Sequence, residues 1–435
     1  IRYVNGKLSG RHDGVDFAVK AGTPVLAADK VEVIRGRKPV LRAITFTVEP
    51  GEFIGLIGPN GAGKSTLLRS VGGLQPVAAG EIRVRGRPVT SLGGKEIARI
   101  IAYLPQEIND GFGFTAREVV LAGRYPYLKW WQNEREADYQ IARKYMAFTG
   151  VAALADKSLR QVSGGERQRI LLAKVLTQET PVILLDEPTA SLDLAYQEEI
   201  FRYCRVLSRQ GKTVLLIAHD VRLAAKFCSR LILLAAGRIV ADGEPAAVVT
   251  GENLAAAYGL QAAVFTSKVT GQLDIHTYAA GTATGRPAVH IIGGGGSAGN
   301  LIRMLFEKSY KLSGGVFQQG DTDADVALAF GVDYVTGPAF STIDENQGRQ
   351  NRVRIAGADW TVLSNLCYGP QNLDNLKAAF SAGRLIVIED EPIANRDFTG
   401  GRATALYREL LARPGVTVLT TAGFLARVEA DGLPE

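Results

Sequence analysis

The sequence predicts an α/β protein in two successive parts, and three observations support that prediction. Short apolar runs alternate with helix-period stretches from about residue 25 to 261, and a second such alternation starts at Ala288. Several of the runs end in Gly, Asp or His, residues suited to strand ends that open into ligand loops. Between the two parts a polar, Ala/Gly/Thr-rich stretch ending AAGTATGR reads as a linker over 263–287. At 435 residues, and about 150 residues per domain, the chain has room for two to three domains.

Composition narrows the function. Hydrophobic residues at 46% and charged residues at 22% exclude a largely disordered chain. A net charge of +6 over this length, with no polybasic tail or stripe, argues against a nucleic-acid partner. Cys204, Cys228 and Cys367 are far apart and form no C-x-x-C, which excludes a disulfide scaffold and fits a reducing cytosol. The longest apolar runs, 214–218 and 231–236, fall well short of the ~18 residues a membrane span requires. The 49 glycines have no collagen-like period, so tight backbone approaches are the expected cause. The chain opens Ile1-Arg2-Tyr3 without Met and without the apolar core of a secretory signal, so its true start is expected upstream.

Taken in order, the first chemical element is Gly58-Pro-Asn60-Gly61-Ala-Gly63-Lys64-Ser65-Thr66, which contains G-x-x-x-x-G-K-S. It follows the apolar run 53–57 and precedes a helical run, the strand–loop–helix setting of a phosphate cradle. Gly58, Gly61 and Gly63 let backbone N–H groups converge on phosphate oxygens, and Asn60 and Thr66 complete the cradle. Lys64 would reach the outer phosphates and the Ser65 hydroxyl would ligate Mg²⁺. Next comes Ser163-Gly164-Gly165-Glu166-Arg167-Gln168, a second Ser/Gly-rich helix start able to bind an anion. A single nucleotide needs one cradle; two kinds suggest two chains closing on one nucleotide. The third element, Val182-Ile-Leu-Leu-Asp186-Glu187-Pro188, is an apolar strand ending in two acids. Beside the cradle in a parallel sheet, Asp186 would hold Mg²⁺ and Glu187 would polarise the attacking water as general base.

With these motifs in place, residues 25 to 261 resemble the ATP-binding subunit of an ABC transporter. The SGGERQ signature, the Gly-rich cradle, the LLDEP strand, Gln106 in Tyr103-Leu-Pro-Gln106, Asp193 in the Ser191-Leu-Asp193 turn and His219 in Leu215-Leu-Ile-Ala-His219 carry the resemblance. It implies a P-loop ABC ATPase domain over 24–262, with a helical subdomain at about 107–162 that docks on membrane subunits. It also implies that Gln106 touches Mg²⁺ and the attacking water, and that His219 contacts the γ-phosphate. Ser163 and Gly165 would serve the nucleotide of the opposite subunit, and Asp193 would act across the dimer. ATP and Mg²⁺ are the implied cofactors. A second copy of the chain, transmembrane permease subunits and, indirectly, an extracytoplasmic substrate-binding protein are the implied partners, with the chain on the cytoplasmic face of the membrane. The family often stacks an aromatic on adenine where this chain has Val33-Ile34-Arg35-Gly36, so the Arg35 guanidinium is expected to take that place. Phe114-Thr-Ala-Arg-Glu-Val and Gly123-Arg124-Tyr125-Pro126-Tyr127 resemble importers of iron–siderophore complexes, haem and vitamin B12. Tyr125, Tyr127, Trp130 and Trp131 are then candidates for the docking surface. The alternative is a soluble ABC ATPase of repair or translation; the second cassette or sustained coiled-coil heptads of such proteins do not occur here.

Two further segments flank this region. Gly10-Arg-His12-Asp-Gly-Val-Asp16 within 1–23 resembles the start of a zinc peptidase of the lysostaphin kind. The H-x-H needed to finish a three-ligand site does not occur in the sequence, so zinc proteolysis is not expected. Over 288–435, Gly294, Gly296 and Gly299 fit G-x-G-x-x-G between a strand and a helix, and Asp321 follows at the distance of a ribose-binding acid. This predicts a Rossmann-like doubly wound domain whose Gly-rich loop, with 397–402 and 364–370, would bind a nucleotide-like or phosphorylated regulator. The alternative is a structural or dimerising module. Candidate strands fall at 289–292, 315–319, 334–336, 360–364, 385–388 and 416–419.

Overall fold

The computed structural model describes residues 24–106, 113–189, 192–267, 270–278, 286–430 and 432–433. The zinc-peptidase-like arm (1–23), Ser191 and residues 279–285 of the expected linker lie outside the described residues. The described residues divide into two compact units, one within Ile1–Gly259 and Ser267–Leu273, the other within Leu260–Thr266 and Asp274–Glu435. Among them, no helix is long and apolar enough to cross a membrane.

The first unit is built on ten strands: β1 (Leu26–Arg35), β2 (Lys38–Val48), β3 (Phe53–Ile57), β4 (Ala79–Val84), β5 (Arg87–Pro88), β6 (Ile101–Leu104), β7 (Val182–Leu185), β8 (Thr213–Ile217), β9 (Arg230–Ala235) and β10 (Arg238–Gly243). One sheet runs β2-β1-β4-β5 and is antiparallel. The other runs β10-β9-β3-β8-β7-β6, parallel except for β10. Every residue of β3, β7 and β8 is buried, as expected of parallel strands covered on both faces. Their shared direction brings the carboxyl ends of β3, β6, β7 and β8 to one edge, and Leu56 pairs with Ile217, Leu185 with Leu216 and Leu104 with Leu185.

Within the helical subdomain, the 3-10 turn Ala122–Tyr127 is tied to helix Glu136–Phe148 by a buried ion pair, Arg124 Nε to Asp138 Oδ1 at 2.8 Å. Arg124 also stacks over Tyr127, whose hydroxyl donates to the Gln178 carbonyl at 2.8 Å. Tyr127 is therefore a packing residue, a correction to its place among the docking aromatics. Tyr125, Trp130 and Trp131 are exposed, Trp130 by 89%.

The second unit adds β11 (Gln261–Thr266), β12 (Leu273–Tyr278), β13 (Ala288–Ile292), β14 (Lys311–Gln318), β15 (Asp333–Gly337), β16 (Trp360–Leu363), β17 (Leu385–Ile388) and β18 (Val416–Leu419). The hairpin β11–β12 occupies much of the stretch read as linker. That reading is corrected by packing: the Tyr278 ring lies edge-on to Phe306 at 4.9 Å and Ala263 joins the core around Ile291. Strands β13–β18 form one wholly parallel sheet in the order β15-β14-β13-β16-β17-β18, with a helix between each sequential pair. That order is doubly wound, and it reverses direction between β13 and β16.

Candidate functional site

The cradle follows β3 and opens the helix Lys64–Val71. Gly58, Gly61 and Gly63 take φ of +143°, +79° and +100°. Space fixes two of these as glycine. A Cβ on Gly58 would lie 2.0 Å from the Leu234 carbonyl oxygen, and one on Gly63 would lie 2.7 Å from Leu41. Asn60 and Gly61 are exposed at the loop tip, while Lys64 is almost fully buried. The Lys64 ammonium donates to the Gly58 and Pro59 carbonyls at 2.8 and 3.0 Å. Burial pulls its pKa down, opposed by the charges of Glu187 and Asp186. A buried cation with only neutral hydrogen-bond acceptors, at the mouth of a helix start, is built for an anion.

Across β8, β7 delivers its two acids. Asp186 is fully buried: the Ser65 hydroxyl donates to Oδ1 at 2.8 Å and the Tyr103 hydroxyl to Oδ2 at 2.8 Å. Arg69 Nε donates to the Tyr103 oxygen at 3.3 Å and lies 3.9 Å from Asp186 Oδ2. Tyr103 and Arg69 thus belong to the site, although a Tyr inside a strand and an Arg inside a helix give no such signal in sequence. Burial is the main cause that pushes the Tyr103 phenol up to about 12. Glu187, at φ +53°, is held on both oxygens: Gln106 Nε2 donates to Oε2 at 2.6 Å, and His219 Nε2 lies 2.8 Å from Oε1. Such a conformation is uncommon away from glycine and persists where its surroundings hold it. Lys64, Ser65, Gln106, Asp186, Glu187 and His219 therefore form one continuous site, with Thr66 in the cradle helix beside them.

Four other expected residues are arranged differently. Ser163 and Asp193 are exposed at helix starts, where Ser163 exchanges capping bonds with Glu166 and Asp193 accepts from the Tyr196 N–H. Gly165 is buried under Tyr196, where a Cβ would lie 3.1 Å from the ring, so packing rather than ligand access explains this glycine. Arg35 sits exposed at the β1–β2 hairpin, paired in register with Lys38 and next to an exposed Ile34.

A family model described as ABC transporter matches residues 41–190. The cobalamin import ATP-binding protein BtuD of Halobacterium salinarum is 37% identical over 323 residues, which are 74% of this chain and 81% of that protein. The chain belongs to the ABC transporter ATP-binding subunits. The hemin import ATP-binding protein HmuV of Rhodococcus jostii is 41% identical over 62% of this chain and 91% of its own length. A chain from an inward-facing metal-chelate type ABC transporter matches at a TM-score of 0.52 with 26% identity, covering 59% of this chain and 97% of that one. This ABC subunit is accordingly an ATPase, and its Gly-rich cradle is the candidate nucleotide site. A second model, the MJ0874 family, matches residues 312–425 of the second unit.

In that second unit the Gly-rich loop departs from expectation. Asp321 Oδ2 accepts the Gly295 N–H at 2.8 Å, and buried Asp323 accepts the Ala298 N–H at 3.0 Å and faces those of Gly294 and Gly299. The loop of Gly294, Gly296 and Gly299 is therefore less open as a phosphate cradle, because the chain's own carboxylates take the Gly295 and Ala298 donors. The stretch 397–402 is likewise satisfied internally: Asp397 accepts from the backbone and hydroxyl groups of Thr399 and Thr404.

Proposed function

We propose that this ATPase drives import of a metal chelate of the tetrapyrrole or siderophore class, cobalamin or haem before others. It would work as a homodimer beneath partner permease subunits on the cytoplasmic face, with an extracytoplasmic binding protein delivering the cargo. The observation that carries the cargo class is the match to the cobalamin importer subunit, whose 323 aligned residues exceed the whole first unit. Exposed Tyr125, Trp130 and Trp131 on the helical subdomain supply an apolar face suited to a permease loop.

The residues fit Mg–ATP. Ser65 and Asp186 present two oxygens 2.8 Å apart beside the cradle, the hard donor set that Mg²⁺ favours, and Gln106 offers a third. When bound, Mg²⁺ would neutralise charge on the outer phosphates. Lys64 moves from two carbonyls to those phosphates, the Gly58–Gly63 backbone orients them, and Glu187 accepts the proton of the attacking water at a carboxylate oxygen. Gln106 and His219 orient Glu187 before that step. Ser163 and Asp193, spent on no contact with their own cradle, are free to meet the nucleotide of a second copy, and Arg35 is placed to stack on a base.

The test is uptake into vesicles carrying this chain with the permease encoded beside it, against cobalamin, haem and a ferric siderophore. ATP-dependent uptake of one of them is the expected result. An ATPase that fails to assemble with any permease and moves none of the three overturns the reading.

A further inference from the structure

The second unit holds a cavity of about 720 Å³ outside the carboxyl ends of its parallel strands. Loops after β13, β14, β15 and β16 all line it, and β13 and β16 are the neighbours between which the strand order reverses. Ligands of open α/β sheets lie in that crevice. The 397–402 loop does not line the cavity, whereas the 364–370 loop contributes Asn365, Leu366 and Cys367.

The lining chemistry is specific. Among the described residues no Lys, Arg or His lines the cavity, and the one charged residue lining it is an acid, Asp321. The Gly-rich loop adds little positive character, because Asp321 and Asp323 already take its Gly295 and Ala298 N–H groups and place two acids against it. A phosphate would thus meet a carboxylate and no compensating cation. Neutral hydrogen-bonding groups are abundant, and among the described residues the side-chain amides of Gln319 and Gln371 have no hydrogen-bond partner. Each Asp321 oxygen carries a single backbone bond, from Gly295 or Asp323, and keeps capacity for a hydroxyl donor. On the rim stands Phe340, 93% exposed, an unoccupied aromatic face.

We propose that this cavity binds an uncharged nucleoside. The ribose hydroxyls donate to Asp321, the base stacks on Phe340, and the Gln319 and Gln371 amides read the base edge. The site excludes the phosphorylated forms that the cradle of the first unit takes. This assignment is independent of the transported cargo.

Cys367 lines the cavity and is exposed, whereas Cys204 and Cys228 are buried, so thiol labelling of the full chain reports on the cavity. Labelling by a disulfide reagent is followed against adenosine, guanosine, cytidine and uridine, and against their 5′-monophosphates. At least one nucleoside is expected to protect Cys367 saturably, and its monophosphate to bind about tenfold or more weakly through repulsion by Asp321. Phe340→Ala, at a residue with almost no packing role, is expected to weaken the nucleoside by about fivefold or more. The proposal is overturned if no nucleoside protects Cys367, if the monophosphate binds as tightly, or if Phe340→Ala leaves the affinity unchanged.

Discussion

Replacing Tyr103 by Phe removes one oxygen from the centre of the proposed ATP site and leaves the ring packed against the core of the first unit. The Asp186 carboxylate is fully buried and has one hydroxyl donor per oxygen, Ser65 on Oδ1 and Tyr103 on Oδ2. With its phenol pushed up to about 12, Tyr103 donates at every working pH. A hydrogen bond to a charged group contributes about 1.5–3 kcal/mol net. Arg69 Nε, 3.9 Å from Oδ2, recovers part of that by closing in, so the expected loss is about 1–2 kcal/mol, a factor of roughly 5–30. Because Asp186 must hold its carboxylate toward the metal, the loss falls on Mg²⁺ use. At fixed ATP, the Mg²⁺ concentration giving half-maximal ATPase activity should rise by about five- to thirtyfold. Nucleotide binding without Mg²⁺ should stay as in the parent. A Mg²⁺ midpoint within about twofold of the parent refutes the positioning role of Tyr103.

The two-chain site is tested by mixing Ser163→Arg and Lys64→Ala chains, each inactive alone. A mixed dimer carries one composite site with both lesions and one with neither, so activity should partly return on mixing; none returning after proven exchange counts against it. The second unit has a pH signature. Burial first, then the neighbouring Asp321 charge, lifts Asp323 from 3.8 to about 6 against its backbone donors. A raised carboxyl pKa means that the native state holds a proton the unfolded state releases, so stability falls as pH rises from about 4 to 6. The expected loss is up to about 3 kcal/mol, read by denaturant unfolding of the second transition at pH 4.5 and 7 in the parent and in Asp323→Asn. A parent transition no less stable at pH 7 contradicts it.

The cluster proposed as the nucleotide site was legible because its chemistry restricts residue type. Gly58 and Gly63 have no room for a Cβ, Lys64 and Ser65 follow at fixed offsets, and Asp186, Glu187 and His219 stand at ends of parallel strands that share one edge. What stayed hidden depends on who partners whom across long sequence distances. The Tyr103 hydroxyl meets Asp186 83 residues away. Gly295 gives its N–H to Asp321, 26 residues on, and that contact turns an expected phosphate loop into a neutral one. The linker reading failed over β12 because its apolar–polar alternation spans only Leu273 to His276, too short to stand out among the polar residues around it. Tyr127 looked like its exposed neighbours until the Gln178 carbonyl and Arg124 claimed it.

The central claim, that Glu187 at the end of β7 serves as general base for the nucleotide held by Lys64 and Ser65, is tested most directly by Glu187→Gln. Steady-state ATP hydrolysis and ATP affinity are measured on the same purified protein. The account predicts that turnover falls by about 10²- to 10⁴-fold while ATP still binds with parental affinity and accumulates unhydrolysed in a closed dimer. Near-parental turnover in that variant would contradict it.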